Sequence, residues 1–298
     1  MRRLIISTVI LLYTCTAAAQ QLHFTSQYLL HNSMYNPAAA GMTGKNSLGM
    51  SYRNQWSSFP GNPKTFMLYG DFALPKMNAG LGAYLYRDVT GPTSRTGVQM
   101  AYSYQVKLND DKARLGLGLE FRVLQFAIDK GKLTDALAND PVLSGASNKI
   151  APDAGAGIYY TNGKLSAGLA VSQLIESKLT LANVSGTDLR AKLYRHYNFS
   201  ASYQWQTGEN IYLIPNFMYR VAEHAPAELD LGCKLDYQQK LWFALAYRNK
   251  QFWSVQAGLS IMNRVGLGYS YDYYLTPSTL ENGGFSAHEF SLRFDLKK

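Results

Sequence analysis

From about Ser47 to the C-terminus, short stretches of this chain alternate apolar with small or polar residues, and turn signals separate one stretch from the next. The clearest stretch sets Leu115, Leu117, Leu119, Phe121 and Val123 against Gly116, Gly118, Glu120 and Arg122. A helix would mix these two sets around its circumference. A strand sorts them, because successive side chains point to opposite faces. One face is then continuously apolar, and the other carries glycine and opposed charges. That division suits a wall with lipid on one side and a polar interior on the other: an all-β, antiparallel transmembrane β-barrel.

The N-terminus carries a different pattern. Met1-Arg2-Arg3 precede an apolar run over 4–12, and Ala17-Ala18-Ala19 stand before Gln20. These are the three zones of a secretory signal peptide, so the expectation is a leader over 1–19 and a mature chain from Gln20. A lipoprotein reading would need lipidation at Cys15, and Thr14 is a poor residue to precede a lipidated cysteine. No later stretch approaches the roughly 20 apolar residues of a spanning helix. Export without a helical anchor leaves a secreted or an outer-membrane protein. The 22 Tyr, 13 Phe, 4 Trp and 25 Gly favour the second, although a secreted soluble sandwich could share them.

Beyond the leader Cys233 is the only cysteine, which leaves no intramolecular disulfide and no Cys-based zinc site. Its setting among Leu229, Leu231 and Leu235 reads as a small lipid-facing residue. The formal charge of +9 includes Arg2 and Arg3 of the leader. Basic residues are scattered among acids, without a Lys/Arg run or an aromatic-interleaved patch, so the charge reads as a solvated surface and not as a nucleic-acid interface.

Cutting the chain at its turn signals gives fourteen strands, within a range of twelve to sixteen. They are expected to begin near Ser47, Thr65, Asn78, Thr96, Ala113, Asp153, Leu165, Leu193, Ile211, Ala227, Leu241, Phe252, Val265 and Ala287. Strands of about ten residues, tilted, cover an apolar band of about 25 Å. A bacterial barrel should alternate long outer loops with tight periplasmic turns. Short connections fall at 75–76, 109–112, 162–164, 207–210, 237–240 and 263–264, and long ones at 129–150, 175–192 and 274–286. The long ones are expected outside the cell. Asn162-Gly163 reads as a type I′ turn, with positive φ at both central positions.

Lipid faces follow strand by strand, as in Tyr197, Phe199, Ala201, Tyr203 and Trp205, or Phe290, Leu292, Phe294 and Leu296. Opposite faces collect charges of both signs: Asp71, Glu120, Arg122, Glu228, Asp230, Lys234, Arg248, Asp272, Glu289, Arg293 and Asp295. These lumenal charges could pair to fix the wall and hold a plug, or line a water-filled channel. A cylinder of fourteen strands is too wide for its own side chains to fill. The candidates to fill it are the connection 129–150 and the pre-barrel segment 20–46, which is otherwise a periplasmic leader.

No constellation carries chemistry. The five histidines, His23, His31, His196, His224 and His288, share no metal-ligand spacing, and no G-x-S-x-G nucleophile motif appears. His288 and Glu289 with Asp272 could form an acid–base group, set against plain ion pairing between adjacent strands. No catalytic residue, metal or cofactor is expected.

The segment Ser26-Gln27-Tyr28, followed by Tyr35, Asn36, Pro37 and Ala38, then Ala40-Gly41, resembles the opening of the PorP/SprF family. So does Arg53, Asn54, Gln55 and Trp56 with the run over 59–65. Tyr271, Asp272 and Tyr273, followed by His288 and Glu289, resemble the closing signature of the same family. The likeness spans essentially the whole mature chain. It departs at the end, Leu296-Lys297-Lys298, where an aromatic residue is usual. The resemblance implies a non-enzymatic outer-membrane component of the type IX secretion system of Bacteroidota. It also implies partners: periplasmic ring components, or large adhesins of gliding cells that it helps to export or anchor. The expected organisation is a leader over 1–19, a periplasmic segment or plug over 20–46, with Tyr35 to Ala38 and Gly41 as docking or plugging residues, and a barrel over 47–298. The alternative function is a channel for small solutes or hydrophobic molecules.

Overall fold

The computed structural model describes residues 25–109, 112–133, 148–184, 187–223, 225–275 and 286–296. The expected leader, His23, His224 and much of the connections at 129–150 and 274–286 lie outside the described residues.

In chain order the strands are β1 (Asn46–Gln55), β2 (Lys64–Leu74), β3 (Ala79–Thr90), β4 (Thr93–Leu108), β5 (Ala113–Ile128), β6 (Asn148–Thr161), β7 (Leu165–Ser172), β8 (Lys178–Val184) and β9 (Thr187–Lys192). There follow β10 (His196–Tyr203), β11 (Trp205–Gly208), β12 (Ile211–Ala222), β13 (Glu228–Tyr237), β14 (Leu241–Arg248), β15 (Phe252–Ile261), β16 (Val265–Tyr274) and β17 (Ser286–Leu296). Fourteen of them make a closed antiparallel barrel. Each pairs with its neighbour in sequence, β1 pairs with β17, and β10 joins β7 to β12. The barrel is therefore an up-and-down meander that closes on itself.

β11 is the fifteenth strand of the sheet, and it continues the line of β10 along β12. The ladder of β12 with β10 stops at Asn216 and resumes with β11 at Leu213. Pro215, which has no N–H to give, lies in that gap. Pro152 is tolerated in β6 for a related reason: β7 pairs only from Ala156 onward, so β6 there has a single partner, β5.

Three local expectations are corrected. The connection at 175–192 is not a plain loop, because β8 and β9 pair there as a separate hairpin. β4 and β5 run for 16 residues each, not about ten. At the 162–164 turn only Gly163 has positive φ, at +82°. The Asn162 side chain accepts from the N–H groups of Lys164 and Leu165, at 3.1 and 2.7 Å. Asn162 thus acts as a side-chain turn former and not as a left-handed residue.

The lipid face follows the alternation. Leu117, Leu119 and Phe121 are exposed on the outside of β5, while Glu120 and Arg122 are buried inside. The inner face is less uniformly polar than the sequence suggests, because Met67, Tyr69, Tyr84, Tyr86 and Met218 are buried within the barrel. Directly opposed glycines make room for some of these rings. A Cβ at Gly49 would sit 2.3 Å from the Tyr69 ring, and one at Gly97 2.3 Å from the Tyr86 ring.

Candidate functional site

The lumen holds the pre-barrel segment. From Thr25 to Gly41 nearly every residue is buried against the wall, Gln27 and His31 at 1% exposure and Ala38 and Ala40 at 0%. The segment advances in short turns, Tyr28–Leu30, Asn32–Tyr35 and Pro37–Ala39. Asn36 caps the last of these, its Oδ1 accepting from the Ala38 N–H at 3.0 Å. Pro37 opens that turn at the position where a missing N–H costs nothing. Tyr35, Asn36, Pro37, Ala38 and Gly41 are all buried inside the barrel.

One end of the segment meets charge. Register places Arg53 of β1 across from Glu289 of β17, and Asp272 lies on neighbouring β16. The Arg53 guanidinium donates to Asp272 Oδ2 at 2.6 Å and to Glu289 Oε2 at 3.2 Å. Ser26 sits among them: its hydroxyl donates to Asp272 Oδ2 at 2.7 Å, and its N–H to Glu289 Oε2 at 3.0 Å. The Thr25 hydroxyl donates to Glu289 Oε1. Gln256 of β15 donates to the Ser26 carbonyl at 2.9 Å. Two acids share one strong cation, and the segment supplies three more donors. Charge-assisted bonds of this kind are the strong ones among buried groups.

Two further ionic clusters flank the middle of the segment. Arg122 binds Glu120 at 3.1 Å, and Gln99 links that pair to the Met34 carbonyl. Arg220 bonds Asp230 at 2.8 Å and Glu228 at 3.1 Å, while Arg248 holds Asp230 through Nε at 2.6 Å. The Arg220 guanidinium lies 5.8 Å over the Tyr35 ring. Burial pushes the Tyr35 phenol up to about 12 against the opposing pull of Arg220. It therefore stays neutral near pH 7 and accepts from the Thr25 N–H at 2.8 Å. Arg293 pairs with Asp295 near the short-turn end, away from these groups.

The other end of the segment meets glycine. A Cβ on Gly118 would lie 2.1 Å from the Ala38 nitrogen, one on Gly116 2.4 Å from the Ala38 carbonyl oxygen, and one on Gly80 2.0 Å from the Ala40 oxygen. Only hydrogen in place of a side chain lets the two backbones approach this closely. Wall amides and hydroxyls then satisfy the buried carbonyls: Ser103 bonds the Ala38 oxygen at 2.8 Å, Gln105 the Ala40 oxygen at 3.1 Å, and Asn198 the Tyr35 oxygen at 3.2 Å. Asp71 accepts from the Gly41 N–H at 2.9 Å and from the Ser33 hydroxyl.

Of the residues singled out by sequence, Arg53, Asp272 and Glu289 converge on the segment. Their motif neighbours do not. His288 faces outward, bonded to the Tyr269 hydroxyl at 2.8 Å and edge-on to Tyr271, and Tyr273 is likewise exposed outside. The His288, Glu289 and Asp272 acid–base group is thus not assembled, because adjacent strand residues point to opposite sides of the wall. Asn54 accepts from Asn62, Gln55 closes the β1–β2 loop, and Trp56 stacks edge-on near Tyr274. Sequence reading missed Gln99, Ser103, Gln105, Asn198 and Gln256. All are polar residues at inward positions of the alternation, and that parity was the available signal.

A closed meander with an apolar outer band, short turns at one end and a segment seated in its lumen defines an outer-membrane β-barrel. The chain belongs to the family described as type IX secretion system membrane protein PorP/SprF, which matches residues 17–294. No curated protein matches it. Among solved structures it is similar to the toluene transporter TbuX of Ralstonia pickettii, at 11% identity and TM-score 0.50 over 89% of this chain and 93% of that one. It is similar also to the CymD monoaromatic hydrocarbon channel, at 11% identity and TM-score 0.52 over 90% and 93%. A FadL homologue of Pseudomonas aeruginosa gives 14% identity and TM-score 0.50 over 88% and 93%. At such identities the likeness is one of fold.

Proposed function

We propose that this barrel works with its lumen closed by residues 25–42, as a non-enzymatic component that supports secretion or surface anchoring of client proteins. The observation that carries the reading is the seating of the segment in the lumen, on wall glycines at one end and on the Arg53, Asp272 and Glu289 cluster at the other. A plugged cylinder has its rims to work with. The end with long connections, including the β8–β9 hairpin, faces outward toward secreted or adhesin clients, and the short turns face periplasmic ring components of the secretion system. Affinity capture from native membranes should recover other secretion-system proteins. Recovering none, with secretion intact in a deletion strain, would refute the reading. The alternative, a channel for small solutes or hydrophobic molecules, needs the path that the segment occupies. Planar-bilayer recordings on the intact chain should show no steady conductance, and a steady conductance would favour the channel.

A further inference from the structure

Outward charge on a barrel wall calls for an explanation, since the lipid-facing surface is otherwise apolar. Lys64 opens β2 and Arg87 lies near the end of β3, both at the long-connection end and both exposed on the outside. Register pairs Lys64 with Val89 and with Asn54, and Arg87 with Phe66 and Thr96. None of those outward neighbours is acidic. Among the described residues neither cation makes an ion pair, and the nearby Asp88 bonds the Thr65 hydroxyl on the inner face. Two cations without an ion pair among the described residues therefore share one patch near the long-connection end of the wall.

The wall next to that patch is dented. A groove of about 510 Å³ runs across the outer surface from β14 to β2, lined by Met50, Tyr52, Phe66, Leu267, Tyr269 and Phe290 among others. Its size falls in the range of roughly 300–1,000 Å³ common for small-molecule sites. The inward positions behind it are small: Ser51, Gly258, Gly268 and Ser291. Gly268 and Ser291 lie directly on Gln27 of the lumenal segment, with Ser291 bonded to its Oε1 at 2.7 Å. Phe66 belongs to both features, as part of the groove and as the register partner of Arg87.

We infer that this face is a binding site for one anionic, phosphate-bearing membrane lipid, an acyl chain in the groove and a phosphate at Lys64 and Arg87, with phosphatidylglycerol as the probe. The groove lies in the apolar band, so hydrocarbon is what fills it, and long basic side chains at the rim reach phosphate while their stems cover apolar wall. Charge complementarity selects an anionic headgroup over a zwitterionic one. The inference does not depend on the secretion reading, because it concerns the outer wall alone and is tested on purified protein.

The test is native mass spectrometry of the intact chain released from nanodiscs of phosphatidylglycerol or of phosphatidylcholine with the same acyl chains. Wild type should retain one phosphatidylglycerol preferentially. Lys64→Ala with Arg87→Ala should weaken that retention by roughly twenty-five-fold, at about fivefold per cation. Arg87→Lys should keep most of it, and Met50→Trp, which fills the groove, should reduce retention of both lipids. All these positions face outward, and heat-modifiable migration checks that each variant is folded. Equal retention of the two lipids by wild type, or undiminished retention by the folded double variant, would overturn the proposal. Displacement of the lipid by free glycerophosphoglycerol would overturn the assignment of the groove.

Discussion

The two halves of the lumen hold one segment by opposite means. Along β3, β5 and β6 the wall is stripped to glycine, and the backbone of residues 36–41 lies against bare strand. Along β1, β16 and β17 the wall presents Arg53, Asp272 and Glu289, and residues 25 and 26 complete their hydrogen bonding. The first seat is specified by absence and tolerates no added atom without movement. The second is specified by charge balance, and it fails when one partner goes and the others stay. A change of shape should therefore matter most at the glycines, and a change of charge at the ion cluster.

The largest effect is expected from charge. Arg53→Ala leaves two buried carboxylates without their cation and should cost about 3–5 kcal/mol, measured by urea unfolding of the barrel in lipid vesicles. Adding Asp272→Asn and Glu289→Gln to the same chain should recover much of that loss, since no unpaired charge then remains. A cost below about 1 kcal/mol for Arg53→Ala would mean that the cluster behaves as a solvated surface pair.

Neighbouring residues on β5 separate lipid from lumen. Leu117→Arg puts a charge on the membrane face and should destabilise by about 2–4 kcal/mol at mid-bilayer. Gly118→Ala puts a methyl group against the Ala38 nitrogen and should cost about 1–3 kcal/mol. Limited proteolysis distinguishes the two. The glycine variant should expose cleavage sites within 25–42, whereas the folded fraction of the leucine variant should keep the segment protected. Equal protection in both would remove the glycine seat from the comparison.

Much of the wall was legible because two local signals agree: turn residues divide the chain, and alternation assigns each face. Lys64, Ala113, Leu165, Ile211, Leu241, Phe252 and Val265 begin strands within a residue of expectation. Register was not legible. Arg53 and Glu289 stand far apart in sequence, and their meeting depends on β1 closing onto β17. The period of two itself separates His288 from Glu289, so their grouping with Asp272 overlooked a signal that was present. Gly118 read as a small lumenal residue, but the alternation cannot say what presses against it, because the segment over 25–42 has no period of its own. Asn162 shows the same limit on a smaller scale: Asn-Gly marks a turn, and whether the asparagine works through its backbone or its side chain is settled by the neighbours.

The finest probe of the comparison is the contact between Asn36 and Gly157. A Cβ on Gly157 would lie 2.2 Å from Asn36 Oδ1, and the Asn36 amide donates to the Ile158 carbonyl at 3.0 Å. Asn36→Ala removes a cap and a wall contact and should cost about 1 kcal/mol. Gly157→Ala alone should cost about 1–3 kcal/mol by forcing the amide away. Together they should cost less than their sum, because the shortened side chain vacates the space that the new methyl enters, leaving Ala170 at 3.2 Å as its nearest remaining neighbour. A double-mutant cycle in the same unfolding assay should give a favourable coupling of about 0.5–3 kcal/mol. If the two losses instead add within about 0.5 kcal/mol, Gly157 does not seat the asparagine, and shape complementarity on this half of the lumen would rest on Gly80, Gly116, Gly118 and Gly168.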